Sequence, residues 1–305
     1  TLLAISAQTN EQVDKADVGN AYLESEPDDD TPIYVSQPKG MEQADPSKYV
    51  WRLRKSLYGM PFSGRTFQRV MEEFMTGLGF KRFASDRCVY IKWVHGKRII
   101  VLTYVDDLIS MTGCDTLRTW WRGELEKRFR KVTHEPNTDW ILNMKISRGT
   151  YPDGRRWVQL GQQLAVEKIA KAAGLENSRR YVTPATDQPL QATVDGDKLP
   201  EEDWSYASIL GGVLYIANLT RPDIASTANR LTSFLKRPNA THCQALKRLV
   251  RYLYHTREVG VRYVSGRPNP FRLTAAADAS FADCPDTKRS TLGWCQWLGG
   301  DTSSG

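Results

Sequence analysis

No apolar run in this 305-residue chain approaches the ~18 residues that a membrane-spanning helix needs, so no membrane partner is expected. Cysteine is scarce: Cys88, Cys114, Cys243, Cys284 and Cys295 are the only five, and none forms a C-x-x-C pair. An odd count in a chain this long predicts reduced thiols and an intracellular setting, not a disulfide framework. The chain opens on Thr1 without an initiator Met, a basic n-region or a small-residue cleavage site. Neither a signal peptide nor a natural start is visible, and a piece of a longer chain is expected. Internal repeats and low-complexity tracts are also missing. What remains is a globular composition, 40% hydrophobic and 25% charged, which excludes disorder, collagen and coiled coil as whole-chain descriptions. The length suits one large or two ordinary domains.

The net charge of +7 conceals a strong asymmetry. Residues 1–50 hold 10 acidic against 3 basic side chains, whereas 51–100 hold 11 basic against 3 acidic. Lys and Arg neutralise phosphates and carboxylates hold divalent cations, so the juxtaposition suits a metal-using enzyme that handles a polyanion. On charge alone, ordinary solvated surface is the plainer reading.

Hydropathy periods give a coarse map. A mixed apolar run at 13–23, containing Asp14 and Asp17, reads as a strand entering a turn or short helix. An acidic loop at 24–30 follows, with Asp28-Asp29-Asp30 as a solvated turn, then a strand at 33–37. Residues 65–78 place Phe67, Val70, Met71, Phe74 and Leu78 on one helical face and stop at Gly79. Strands at 88–93 and 99–105 are joined by His95-Gly96-Lys97, and another follows at 108–111. Asp115 is the expected N-cap of a helix to Phe129, with Leu117, Trp121 and Leu125 on its apolar stripe. Beyond it come strands at 141–148 and 157–160 and helices at 162–173, 206–219, 223–235 and 241–255. Closing strands lie at 260–264, 271–277 and 292–298. Short strands and helices without regular βαβ alternation predict the α+β class.

Tyr104-Val105-Asp106-Asp107 is the sharpest chemical feature. Two adjacent carboxylates between apolar strand-like segments need a tight hairpin turn to be exposed, and at a turn both can face one cation. Asp is also simply a favoured turn residue. Asp17, at the end of another strand, is a third candidate, and three carboxylates could hold two Mg²⁺ for an in-line displacement at phosphorus. Between them runs a segment from Arg52 to Arg65 in which Arg52, Arg54, Lys55 and Arg65 alternate with Tyr58, Gly59 and Phe62. Rings that stack on bases and glycines that permit close approach suit a nucleic-acid or nucleotide surface; a basic loop before a helix has the same composition. His242-Cys243 has no second pair at ligand spacing and is expected to start a helix, not to bind zinc.

The run at 13–23, the KSLYG block at 55–59 and YVDD at 104–107 resemble the central palm motifs of reverse transcriptases of the Ty1/copia class of LTR retrotransposons. TRPDIA at 220–225 and the segments around Leu78-Gly79-Phe80, 85–90, 211–217 and 248–253 continue the resemblance in order along nearly the whole chain. It implies a right-hand palm with partial fingers over 1–148, thumb and connection segments over 149–265, and the truncated opening of a ribonuclease H-like domain over 266–305. It implies two Mg²⁺ or Mn²⁺ ions on Asp17, Asp106, Asp107 and the Val18 carbonyl. Tyr22 is the implied steric gate against a 2′-OH; Tyr58 and Gly59, with Lys55, would lie against the incoming nucleotide, and Arg52, Arg54 and Arg65 against nucleic acid. The partners implied are an RNA template, a DNA primer/template and a dNTP, in a cytoplasmic particle or the nucleus.

Three departures follow from the same comparison. The family's fingers bring basic residues from sequence before the palm, whereas Thr1 stands close to the first catalytic strand, so incomplete fingers are expected. A nucleic-acid-binding remnant that no longer polymerises is the alternative reading. Gly19 and Gly64 stand where bulkier residues are expected. Asp278 matches the first ribonuclease H carboxylate but is expected to lack its partners, so no ribonuclease H activity is expected. A third reading, an unrelated two-metal phosphodiesterase, needs a nucleophilic water instead of a primer, and Tyr22, Tyr58 and Gly59 argue against it.

Overall fold

The computed structural model describes residues 1–27, 32–185, 190–194, 197, 203–284 and 286–298. The Asp28-Asp29-Asp30 turn lies outside the described residues. In chain order the elements are α1 (Leu2–Thr9), β1 (Gln12–Val18), a 3₁₀ turn (Ala21–Glu24), β2 (Tyr34–Val35), β3 (Trp51–Arg52) and α2 (Ser63–Gly77). Next come β4 (Lys81–Arg82), β5 (Val89–Val94), β6 (Lys97–Tyr104), β7 (Asp107–Thr112), α3 (Asp115–Arg128) and β8 (Val132–Glu135). Then β9 (Trp140–Ile141), β10 (Met144–Thr150), β11 (Arg156–Gly161), α4 (Gln163–Ala172), α5 (Tyr206–Leu219), α6 (Ala225–Thr232) and α7 (Ala240–His255) follow. The last three strands are β12 (Val261–Val264), β13 (Leu273–Ser280) and β14 (Thr291–Leu298). This mixture is compatible with the expected α+β class. The chain forms two compact units, one of residues 9–138 with Leu2, the other of 139–305 with 1 and 3–8.

The 9–138 unit is built on an antiparallel sheet of order β4-β5-β6-β7-β1-β8. Strand alternation decides its two faces. Ala16, Val18, Ile99, Val101 and Leu108 are buried with Phe67, Met71 and Met75 of α2 and Trp121 and Leu125 of α3. Lys15 and Asp17 alternate with Ala16 and Val18, so they point from the opposite face. Leu117, Trp121, Leu125 and Phe129 are all buried, as their spacing predicts. Asp115 is not the cap of that helix: Cys114 is, with extended backbone, and Asp115 stands in the first turn, where a negative charge still suits the helix dipole. The strand expected at 33–37 contracts to Tyr34–Val35, paired with Trp51–Arg52. The 95–96 turn places His95 and Gly96 at φ 47° and 74°, the conformation that a two-residue hairpin demands.

In the other unit β12-β11-β10-β9 form an antiparallel sheet. Positive φ at Leu142 and Asn143 divides the strand expected at 141–148 into β9 and β10. Helices α4 to α7 enclose a core that includes Val166, Leu210, Ile216, Leu231, Leu246 and Leu249. The helix expected at 223–235 is shorter, because the Pro222–Ile224 stretch is a 3₁₀ turn and α6 runs only from Ala225 to Thr232. Asn239 caps α7 in a capping box with His242: the His242 backbone N–H donates to Asn239 Oδ1 at 3.1 Å, and His242 Nδ1 accepts from the Asn239 N–H at 3.0 Å. A ring nitrogen committed to that capping box, stacked on Phe234 at 3.8 Å, serves the helix start, as the lone His-Cys pair suggests. β13 and β14 form a two-stranded hairpin whose side chains, Leu292 and Trp294 among them, are largely exposed. Among the described residues no helix is long and apolar enough to cross a membrane.

Candidate active site

β1 and β7 run antiparallel with Asp17 directly opposite Asp107. β6 and β7 form a hairpin closed by the Tyr104–Asp107 pair, so Val105 and Asp106 are its two turn residues. Val105 takes φ 55°, a left-handed conformation that a β-branched side chain adopts only under strain. The Val18 N–H donates to the Asp106 carbonyl at 2.9 Å, fastening the turn to the end of β1. Three carboxylates from sequence positions about 90 apart therefore reach the same end of adjacent central strands.

Their electrostatics show the strain of that arrangement. Burial, followed by the charges of Asp106 and Asp107, pushes the Asp17 carboxyl above its ordinary value. The relieving charge is Lys15, whose Nζ lies 3.0 Å from Asp107 Oδ1 and 3.9 Å from Glu135 Oε1. Burial disfavours the Lys15 ammonium, but the hydrogen bond and charge of Asp107, with Glu135 and Asp17, outweigh it and raise its pKa. Neither Lys15 nor Glu135 is among the expected site residues. Period-two alternation from Asp17 would have found Lys15; Glu135 lies on β8, whose four residues carry too little pattern to read as a strand.

The expected donors are carboxylate oxygens and one backbone carbonyl oxygen, the chemistry that Mg²⁺ and Mn²⁺ take, so the residue types fit these ions. Among the described residues, however, no three His, Cys, Asp or Glu side chains stand close enough to enclose one ion. Asp107 is instead engaged by Lys15.

The aromatic residues gather beside the carboxylates. Asn20, at φ 57°, turns the chain out of β1 into the 3₁₀ turn that carries Tyr22. The Tyr22 ring lies between Tyr58, at 4.5 Å between centroids, and Phe67, at 6.4 Å. Burial, then the Asp106 charge, raises the Tyr58 phenol pKa, although the ring is 55% exposed. A buried hydroxyl cluster fixes this pair to α2. Thr66 Oγ1 lies 3.1 Å from both Ser25 Oγ and Ser56 Oγ, and the Ser56 N–H donates to the Ser25 carbonyl at 3.0 Å. Gly59 has φ 89°, which explains glycine at that position. A Cβ at Gly64 would stand 4.0 Å from the Tyr22 hydroxyl, and one at Gly19 would meet the Lys131 side chain at 2.9 Å.

The basic segment lies on a separate feature. Arg52, Arg54 and Lys55, with Trp51, Glu26 and Leu57, line an open cleft of about 940 Å³ that none of the three carboxylates borders. Lys55 is tied to Glu26 at 2.9 Å, while Arg54 and Arg65 are exposed. Asp278, on β13 opposite Gly293, is exposed.

The family model described as reverse transcriptase (RNA-dependent DNA polymerase) matches residues 1–186, more than half of the chain. The chain belongs to the reverse transcriptase family. Its relatives place it with the Ty1/copia type. It is 32% identical over 299 residues to the retrovirus-related Pol polyprotein from transposon RE1 of Arabidopsis thaliana, covering 98% of this chain and 20% of that protein. To the Pol polyprotein from transposon TNT 1-94 of Nicotiana tabacum it is 30% identical over 300 residues, 96% of this chain and 22% of that one. To the transposon Ty1-DR5 Gag-Pol polyprotein of Saccharomyces cerevisiae it is 22% identical over 323 residues, covering 100% and 18%. This reverse transcriptase chain thus spans about one fifth of the length of these polyproteins.

Proposed function

We propose that the chain is the palm-centred core of an RNA- and DNA-templated DNA polymerase, with Asp17, Asp106 and Asp107 as its catalytic carboxylates. The observation that carries this reading is the register: Asp17 faces Asp107 across β1 and β7, and the turn that holds Asp106 is bonded to the next residue, Val18. In this reading residues 1–148 are palm with partial fingers, 149–265 thumb and connection, and 266–305 the opening of a ribonuclease H-like domain.

The reaction forms a bond between the primer 3′-oxygen and the α-phosphorus of a dNTP, breaks the bond to the β-phosphate bridging oxygen, and releases pyrophosphate and the hydroxyl proton. Two Mg²⁺ or Mn²⁺ ions, when held by Asp17, Asp106, Asp107 and the Val18 carbonyl, supply Lewis acidity to the attacking and leaving oxygens. The strained Val105 corner presents Asp106 at the end of the β6–β7 hairpin, beside the end of β1. Tyr22, held between Tyr58 and Phe67, fills the space a 2′-OH would need, and the left-handed Gly59 lets the backbone approach the nucleotide. Arg52, Arg54 and Arg65 contact the template backbone, with Lys55 near the nucleotide once it leaves Glu26.

Primer extension on poly(rA)/oligo(dT) with Mg²⁺ or Mn²⁺ tests the proposal, using this chain beside a chain extended at its N-terminus. Template-dependent extension by either supports it, and activity in the extended chain alone locates the deficit in the fingers. Binding without extension by both supports the second reading, a non-polymerising remnant, which the Lys15–Asp107 ion pair favours because it occupies a carboxylate the chemistry needs.

Two further expectations follow. Tyr22→Val is expected to raise incorporation of UTP relative to dTTP by about tenfold or more, since steric exclusion is lost; an unchanged ratio removes Tyr22 from the sugar contact. If Arg52, Arg54 and Arg65 contact phosphates, template affinity falls steeply with salt, at a log–log slope near −2 to −3 for three contacts. A flat dependence contradicts that placement.

A further inference from the structure

The register of β1 places a cation inside the acidic cluster. Lys15 precedes Asp17 by two residues, so both side chains leave the same face of the sheet. Because β1 lies between β7 and β8, Lys15 faces Ile109 on one side and Glu135 on the other. Its ammonium reaches diagonally to Asp107 Oδ1 at 3.0 Å and stands 3.9 Å from Glu135 Oε1. Both members of the Lys15–Asp107 pair are only about one-fifth exposed, at 20% and 22%, so solvent screens the contact incompletely. Asp14, the remaining carboxylate of β1, points from the other face. There it accepts from Arg122 at 3.1 Å and from the Asn137 N–H at 2.8 Å, with Arg118 Nε at 3.2 Å. Among the described residues Lys15 is therefore a cation paired with a carboxylate of the site.

Resting on the proposed two-metal reading, we infer that Lys15 is a built-in counter-cation that competes with divalent metal for Asp107 and so sets the metal concentration at which the site assembles. An Asp107 oxygen given to an ammonium at 3.0 Å is not free to a metal ion, and a divalent ion beside that ammonium is repelled by it. The same contact commits Asp107 Oδ1 to the ammonium. Entry of metal at Asp107 requires Lys15 to withdraw, and Glu135 is the carboxylate placed to receive it. Lys15 is thus a positioning residue, acting through Asp107.

The test is Mn²⁺ binding to the full chain, read from the free-ion electron paramagnetic resonance signal at fixed pH and ionic strength. Wild type, Lys15→Gln, Lys15→Arg and Asp107→Asn are compared, with circular dichroism melting to establish that each is folded. Lys15→Gln is expected to bind Mn²⁺ about tenfold more tightly than wild type, the effect of removing one half-buried like charge. Lys15→Arg keeps the charge and is expected to stay within about twofold of wild type. Should Lys15→Gln not fold, a Lys15→Met variant takes its place with the same expectation. An Asp107-dependent site with equal or weaker affinity in the neutral Lys15 variant overturns the inference alone. Absence of any Asp107-dependent site in wild type and the neutral Lys15 variant alike overturns the two-metal reading, and the inference with it.

Discussion

Asp17→Asn is expected to act in opposite directions on activity and on stability. Primer extension should fall at least about 10³-fold, equivalent to roughly 4 kcal/mol of lost transition-state stabilisation, because an amide keeps the shape of the side chain but not its charge. The melting temperature at neutral pH should rise. Burial and the charges of Asp106 and Asp107 hold the Asp17 carboxyl above its ordinary value, so the folded chain binds that proton more tightly than the unfolded chain does. The stability contributed by Asp17 is therefore complete below the unfolded carboxylate value of about 3.9 and is lost as the pH rises through the higher folded value. The variant does not titrate, so its advantage should be present at neutral pH and vanish near pH 3–4. Such a trade of stability for function marks a site where like charges are gathered for chemistry. A variant that melts lower at neutral pH, or one that retains extension, contradicts the assignment.

Arg221→Met should produce the largest loss of stability among the substitutions considered. The Arg221 side chain is 1% exposed. It donates from Nε and Nη2 to the two Asp223 carboxylate oxygens at 2.9 and 2.8 Å, and from Nη1 and Nη2 to the Thr256 carbonyl and hydroxyl at 2.9 and 2.8 Å. Tyr252 also donates to Asp223, at 2.9 Å, and its ring lies 5.5 Å from the guanidinium carbon. The guanidinium thus ties the α5–α6 connection to the end of α7. Methionine fills much of the volume but removes all of these guanidinium hydrogen bonds, leaving Asp223 to Tyr252 and the Thr256 carbonyl to the Val259 N–H, a cost of about 3 kcal/mol, at the lower end for a broken buried pair because Asp223 keeps a donor and some solvent access. That corresponds to a fall in melting temperature of roughly 6–12 °C for a unit of this size. Arg221→Lys should recover only part of it, since an ammonium cannot reproduce the fork. Burial alone would raise the Asp223 carboxyl, but the Arg221 hydrogen bond and charge outweigh it and hold the pKa below its ordinary value. Wild type should therefore lose its advantage over Arg221→Met as the pH falls through that depressed value. Denaturant melts at neutral and acid pH check both statements; equal melts at neutral pH contradict them.

These two sites show which parts of the molecule its sequence announces. The hairpin at Asp106 and the long amphipathic helices are legible because period and punctuation are local: alternation on β6 and β7, a stripe through Leu117, Trp121 and Leu125, and turns at His95-Gly96 and Gly79. Short pairings are not. β8 has four residues, and its place beside β1 depends on contacts about 115 residues apart in sequence; Glu135 was invisible for that reason. Lys15 was concealed differently, because a charged residue inside an apolar run reads as surface until its strand is known to be central. The cap of α3 is Cys114 and not Asp115, since an extended backbone without a side-chain acceptor begins that helix. TRPDIA was legible as part of a resemblance, but the physical work of Arg221 emerges only once Thr256 and Tyr252 are brought beside it.

The central claim, that Asp17 and the Asp106–Asp107 hairpin together hold the divalent ions of the reaction, is tested most directly by locating the ion itself. With Fe²⁺ in place of Mg²⁺ and ascorbate with peroxide present, hydroxyl radicals cut the backbone close to the bound metal, whether or not the chain extends primers. Cuts are predicted around residue 17 and around residues 105–108, suppressed together by excess Mg²⁺ and weakened by Asp17→Asn. Cleavage confined to other segments, or cuts at one of these two strands that persist unchanged in Asp17→Asn, would contradict it.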